Sequence, residues 1–128
     1  MPEVAQSVVL TRVSGRASRM PEAERLATFA ATGATLAIHL AIHAIAAVVK
    51  ELTPLYGADC PAAVVVQASA PAQRILRGTL ADIATQVTTA RIERTALIIV
   101  GRALAAENFR DSALYDADYR RRFRGGAA

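Results

Sequence analysis

The sequence is short of aromatics, lysine, cysteine and long apolar runs, and each shortage closes a class of answer. Only 5% of its 128 residues are aromatic and none is tryptophan. Val, Ile, Leu and Ala must therefore fill a core that, at this length, takes in roughly two-thirds of the unfolded surface. The single cysteine, Cys60, excludes an internal disulfide. It fits a reducing compartment, so a cytoplasmic location is expected. No apolar run approaches the ~18 residues that cross a bilayer, and MPEVAQSVV has no basic stretch of a secretory signal. There is no GxGxxG, no Walker pattern and no GxSxG elbow. Cys60, in GADCP, has no partnered histidine in sequence and reads as a small buried side chain ahead of a strand.

What is present is a globular composition, 53% hydrophobic and 20% charged, with a formal charge of +4. Lys50 is the sole lysine, so the positive charge is almost all arginine. A planar guanidinium fork suits carboxylate or phosphate. Nucleic acid, acidic lipid and a polycarboxylate small molecule all remain open on composition alone.

The stretch Ala34–His43, ATLAIHLAIH, organises the rest. Its apolar residues fall on both parities, as in a strand buried on both faces of an α/β sheet. Open α/β sheets hold ligands where such a strand turns into the next helix, which puts His39 and Leu40 near the expected site.

In chain order, Val8–Val13 reads as a strand. Ser14–Ser18 is a loop carrying Arg16. Pro21 suits the first turn of a helix running to Ala31 and stopping by Gly33, with Glu22 and Glu24 at its positive end. The strand Ala34–Leu40 leads into a helix over Ala44–Tyr56. There Ile45, Val48, Val49, Leu52, Leu55 and Tyr56 form one stripe to be buried. Gly57 is placed to cap it, and Pro54 predicts distortion or an earlier end. Ala62–Gln67 is a strand, Ala68–Pro71 a tight connection and Arg74–Thr79 a paired strand, giving a hairpin with a four- to six-residue loop. Thr79 and Asp82 form a weak capping box before a helix over Leu80–Val87. Thr95–Val100 is a last strand, stopped by Gly101. The fold expected is α/β, a five-stranded, mostly mixed sheet flanked by three main helices, with one antiparallel pair. Residues 1–101 form this domain. Residues 102–128 form a polar extension in which Tyr115, Tyr119 and Phe123, spaced by four, suit a short docking helix.

Little in the chain suggests acid–base or metal chemistry. His39 and His43 have a spacing that can hold zinc on a helix, but no third ligand of matching quality stands nearby, so no metal is expected. Asp82, Glu93 and Asp111 make no convincing catalytic pair. The RRRFR run, Arg120–Arg124, reads as a solvated terminus, and the aromatic-plus-basic sheet pattern of single-strand RNA binders is missing.

Several stretches resemble a known family. TRVSGRASRMPEAERLATFAATGATLAIHLAIH, ELTPLYGADCPAAVVVQAS, ILRGTLADI, ERTALIIVGRAL and FRDSALYDADYRRRF, in this order, are similar to the C-terminal half of tetrapyrrole (corrin and porphyrin) methyltransferases, in their precorrin-methylating branch. The resemblance covers nearly the whole chain. It implies methylation of a precorrin from S-adenosyl-L-methionine in cobalamin biosynthesis, by two α/β domains that hold the cofactor between them and usually form homodimers. It implies cofactor contacts at Leu40, preceded by His39, at Ala68, and along Thr95, Ala96 and Leu97. It also implies substrate-carboxylate contacts at Arg12 and Arg16. No catalytic residue is implied. The family's first domain, with its Gly-rich cofactor loop, has no counterpart in this chain. The chain is thus expected to be one half of such an enzyme or a non-catalytic binding or dimerisation module derived from one. Neither nucleic acid nor membrane is an expected partner. An oligonucleotide titration should show no binding that weakens steeply with salt; a steep slope would reinstate the nucleic-acid reading.

Overall fold

The computed structural model describes residues 5–13 and 19–105. Five strands, β1 (Val8–Arg12), β2 (Thr35–His39), β3 (Pro61–Val66), β4 (Arg74–Thr79) and β5 (Ala96–Val100), form one sheet in the order β1-β2-β5-β3-β4. Helices α1 (Leu26–Ala30), α2 (Ile45–Tyr56) and α3 (Ile83–Thr89) connect them. The sheet is mixed and the element order is as expected. The number of antiparallel pairs is not. Only β1 and β2 pair in parallel, whereas β2–β5, β5–β3 and β3–β4 are all antiparallel. The last strand is the cause, because it enters between β2 and β3 and runs against both.

Period-two burial sets the core. Leu36, Ile38, Ala62, Val64, Val66, Ile98 and Val100 point to one side and join Leu26, Ile45, Val48, Leu52, Ile83 and Val87 of the helices in one apolar cluster. β2 is buried at its first four residues on both parities. On the second face this comes from small side chains sunk between neighbours, because all three helices pack into the first.

Several local expectations change. The helix expected from Pro21 to Ala31 breaks in two. A single tight turn spans Glu22–Glu24, then Arg25 is extended (φ −67°, ψ 151°) before α1. That break turns Leu26 inward, and the Ala27 N–H donates to Glu51 Oε1 of α2 at 3.2 Å. A tight turn at Ile42–Ala44 precedes α2, which runs through Pro54 to Tyr56. Leu55 leaves the apolar stripe and is exposed. Gly57 ends the helix at φ 90°, its N–H donating to the Thr53 carbonyl at 2.8 Å. The β3–β4 loop is residues 67–73, seven rather than four to six. The last helix starts at Ile83, not Leu80. Asp82 stands at its N-cap, but its Oδ1 accepts from the Thr79 N–H at 2.8 Å, half of a capping box one turn early. Thr95 falls outside β5. Arg16 and the extension from residue 106 onward lie outside the described residues.

Three hydrogen bonds fasten the edge of the sheet away from Leu40. The Tyr56 hydroxyl donates to the Ala34 carbonyl, tying the end of α2 to the start of β2. Arg102 donates to the Tyr56 carbonyl at 2.7 Å and to Asp59 at 3.0 Å, covering the negative end of α2. Hydrogen bonding from Arg102 holds the Asp59 carboxyl below its ordinary range. Cys60 is fully buried before β3, as expected, and burial pushes its thiol up.

Burial, with Cys60 alongside, pushes the Tyr56 phenol up to about 12. The unfolded phenol ionises near 10, so this contribution is complete below pH 10 and is lost as pH rises toward 12. Tyr56→Phe orphans the Ala34 carbonyl and should cost about 1–3 kcal/mol in urea unfolding at pH 7. The gap between the two proteins should narrow at pH 11; a gap that widens there would contradict this assignment.

Candidate functional site

The strand directions bring separate segments to one edge. β2 and β3 end where β5 begins, since β5 runs opposite to both. Three connections meet there: Leu40 after β2, Gln67–Ala68 after β3, and Glu93–Thr95 before β5. Together they line a cavity of about 610 Å³ walled by His39, Leu40, Ile42, His43, Val65, Ala68 and the run Glu93–Leu97. All six residues expected to contact a cofactor, His39, Leu40, Ala68, Thr95, Ala96 and Leu97, line this one cavity.

Backbone geometry at this edge is unusual. Leu40 (φ 55°), Gln67 (φ 50°) and Thr95 (φ 57°) all adopt the left-handed region, one at each connection. For a branched side chain such as Thr95 that conformation costs of order 1–2 kcal/mol. Such costs concentrate where the surrounding structure holds a ligand-binding shape. Leu40 is 77% exposed, so nothing in the apolar core asks for it. The Gln67 N–H donates to the Thr95 carbonyl at 2.8 Å and fixes two of the connections to each other.

A strand edge also opens here. The β2–β5 ladder stops at Ile38 and Ile98, while β5 continues against β3 as far as Ala96. Ala96 and Leu97 therefore meet the cavity with the backbone edge that lacks a ladder partner on the β2 side. Unpaired strand N–H and C=O groups are ready hydrogen-bonding sites for a flat heterocycle or another chain. Leu40, Ile42, Val65 and Leu97 supply apolar walls, and the polar groups are His39, His43, Glu93 and Arg94. The described residues contain no group of three His, Cys, Asp or Glu arranged to hold a metal ion.

Arg12 ends β1, half-buried and opposite His39 in the ladder. It does not line the same cavity. It lines an adjoining one of about 350 Å³ that shares the corner His39–Leu40 and includes Leu10, Met20, Glu24 and Phe29. Sequence reasoning missed Ile42, Val65 and Arg94, and took His43 only as a metal candidate. The position of His43, one turn after the strand end, was the available signal. Nothing in the sequence pointed to Arg94 beyond its place next to Thr95.

Residues 1–84 match the family described as Tetrapyrrole (Corrin/Porphyrin) Methylases. The chain belongs to this family. It is 67% identical over 125 residues to a precorrin-4 C(11)-methyltransferase from a Sinorhizobium species, covering 98% of this chain and 49% of that protein. It is 44% identical over 125 residues to the cobalt-precorrin-4 C(11)-methyltransferase of Methanocaldococcus jannaschii, covering 97% and 48%. Among solved structures, the cobalamin biosynthetic enzyme cobalt precorrin-4 methyltransferase superposes with a TM-score of 0.77 at 34% identity, over 83% of this chain and 44% of that one. The fold is shared with uroporphyrin-III C-methyl transferase from Thermus thermophilus complexed with S-adenyl homocysteine, at a TM-score of 0.62, 22% identity, 78% of this chain and 43% of that one. The chain spans about half the length of the curated relatives it matches.

Leu40 offers a test of the strain. Leu40→Gly should change unfolding stability by no more than about 1 kcal/mol in either direction, because relief of the left-handed conformation offsets the added chain entropy. A loss of 2–5 kcal/mol, the range for a truncated core leucine, would show that the side chain serves packing instead.

Proposed function

We propose that this chain is the C-terminal half of an S-adenosyl-L-methionine-dependent precorrin methyltransferase. The complete protein would methylate a precorrin-4 or cobalt-precorrin-4 at ring carbon 11 in cobalamin biosynthesis. The observation that carries this reading is the meeting of His39, Leu40, Ala68 and Thr95–Leu97, from three separate strand ends, around one cavity. The names of the relatives supply the substrate class.

The donor set fits the cofactor. About 610 Å³ lies within the roughly 300–1,000 Å³ of sites for ligands of this size. Leu40, Val65 and Leu97 offer apolar walls for an adenine ring, and the open edge of Ala96–Leu97 offers backbone donors and acceptors along its rim. Ala68 and Ala96 are small enough to leave room for it. The bound cofactor supplies a methyl group activated on a sulfonium centre, so the protein needs no nucleophile, metal or covalent intermediate. The residues of this chain act by holding and orienting, and by excluding water from the apolar side. Positioning of this kind is worth up to roughly 7–11 kcal/mol of a barrier. Arg12 at the adjoining cavity, with Arg16 beyond it in sequence, suits the peripheral carboxylates of a tetrapyrrole.

In this reading the other half, an N-terminal methyltransferase domain, closes over the edge formed by the ends of β2 and β3. The assembled enzyme is a cytoplasmic homo-oligomer. Calorimetry with S-adenosylhomocysteine tests it, using the chain alone and mixed with a separately produced N-terminal half. The mixture should bind and the chain alone should bind weakly or not at all, since half of the cleft is missing. Ala68→Trp, at an exposed loop residue, should weaken binding by the mixture at least about tenfold by filling the cavity. Absence of binding by the mixture, or indifference to Ala68→Trp, would defeat the proposal.

A further inference from the structure

Two adjacent residues of the cavity wall carry opposite charges that do not answer each other. Glu93 and Arg94 both line the cavity, on the connection that leads into β5. Glu93 is the one carboxylate and Arg94 the one guanidinium among its described lining residues. Elsewhere Arg25 pairs with Glu22 and Arg102 with Asp59, each at 3.0 Å. Glu93 and Arg94 form no ion pair among the described residues, with each other or with a third group. Their backbone is nevertheless fixed. The next residue, Thr95, is held in the left-handed region at φ 57°, and its carbonyl accepts the Gln67 N–H at 2.8 Å. A pinned connection thus presents one acid and one base to a cavity whose other walls, at Leu40, Val65 and Leu97, are apolar.

Closure of the edge gives these charges their meaning. In the reading above, a second domain covers the ends of β2 and β3, and water leaves the cavity. A charge taken out of water demands a counter-charge. The α-amino acid end of S-adenosyl-L-methionine brings one of each sign on a single carbon. A carboxylate side chain accepts hydrogen bonds from an ammonium, and the planar fork of an arginine takes a carboxylate bidentately. The four charges then cancel in two pairs. A nucleotide fits this wall less well. It carries the same base, but its phosphate meets Glu93 with like charge. The remaining polar groups, His39 and His43, stand at the end of β2 and in the tight turn before α2, and bring no carboxylate.

We infer that Glu93 and Arg94 are positioning residues for the α-amino acid end of the cofactor, Glu93 accepting from its ammonium and Arg94 donating to its carboxylate. The inference rests on the cofactor reading and extends it from the adenine to the far end of the same molecule. A molecule held at both ends has the sulfur between them fixed in place, which is what catalysis by positioning requires.

Calorimetry on the chain mixed with a separately produced N-terminal half tests the two ends apart. The ligands are S-adenosylhomocysteine and methylthioadenosine, which keeps the base, ribose and sulfur and lacks the amino acid. The unsubstituted pair should bind S-adenosylhomocysteine more tightly. Arg94→Gln and Glu93→Gln should each weaken that ligand at least about tenfold, as loss of a charge-assisted hydrogen bond does. Both should leave methylthioadenosine within about twofold, which also reports an intact fold. Glu93→Gln should in addition tighten adenosine monophosphate about threefold or more, because the like charge is gone. Equal losses for both thioethers, no loss for either, or adenosine monophosphate unmoved by Glu93→Gln would overturn the inference while the cofactor reading stands. An unsubstituted pair that binds neither thioether would remove the cofactor reading and this inference with it.

Discussion

The molecule depends on one row of apolar contacts. Ile38, Ile98 and Val64 sit side by side on adjacent strands, at most 1% exposed, and share their cluster with the fully buried Leu52 of α2. At about 25 cal/mol per Å² each such side chain is worth roughly 1.5–3 kcal/mol of burial, so the row anchors helix to sheet. It also sets the alignment of the three central strands. Where the row ends, β2 turns off at Leu40, β3 at Gln67, and β5 has just begun at Ala96. The cavity is the space left where aligned strands stop being paired, and its position follows from the packing beneath it.

This division explains how one small domain carries both firmness and shape. At one edge, Tyr56 is bonded to the start of β2 and Arg102 to the end of α2. At the other, three connections take left-handed backbone conformations that their side chains do not favour. The bonded edge tolerates little change, whereas the cavity edge holds shape at a local energetic cost. A site that acts by placing two reactants, with no proton relay, needs this combination more than it needs reactive side chains. The lack of a metal cluster among the described residues therefore weighs nothing against the proposed methyl transfer.

Much of this was legible in the residues. Hydrophobic periodicity located every strand to within two residues of its ends, and β-branched runs such as AAVVVQ left little room for helix. The stripe of α2 was visible, apart from Leu55. What escaped is what periodicity does not carry. Pairing direction depends on where β5 inserts, a choice made among distant segments and not within TALIIV. The break at Arg25 answers to Glu51, 26 residues away in sequence, which receives the Ala27 N–H. The strand-end rule placed His39 and Leu40 near the candidate site, whereas Ala68 and Thr95–Leu97 came from resemblance alone. No local pattern links His39, Ala68 and Thr95, and only the fold brings them together. Left-handed backbone at a leucine and a threonine is invisible to propensity, which assigns that region to Gly and Asn.

The order of the sheet has a consequence for how the chain is made. The strand that joins β1–β2 to β3–β4 is the last of the five to be synthesised. Until residues 96–100 have left the ribosome, the nascent chain holds two strand pairs with open inner edges facing one another. The domain therefore becomes cooperative only once β5 has been added to the two pairs. A chain cut short before Ala96 would hold two exposed β-edges, material for aggregation and not a smaller working domain.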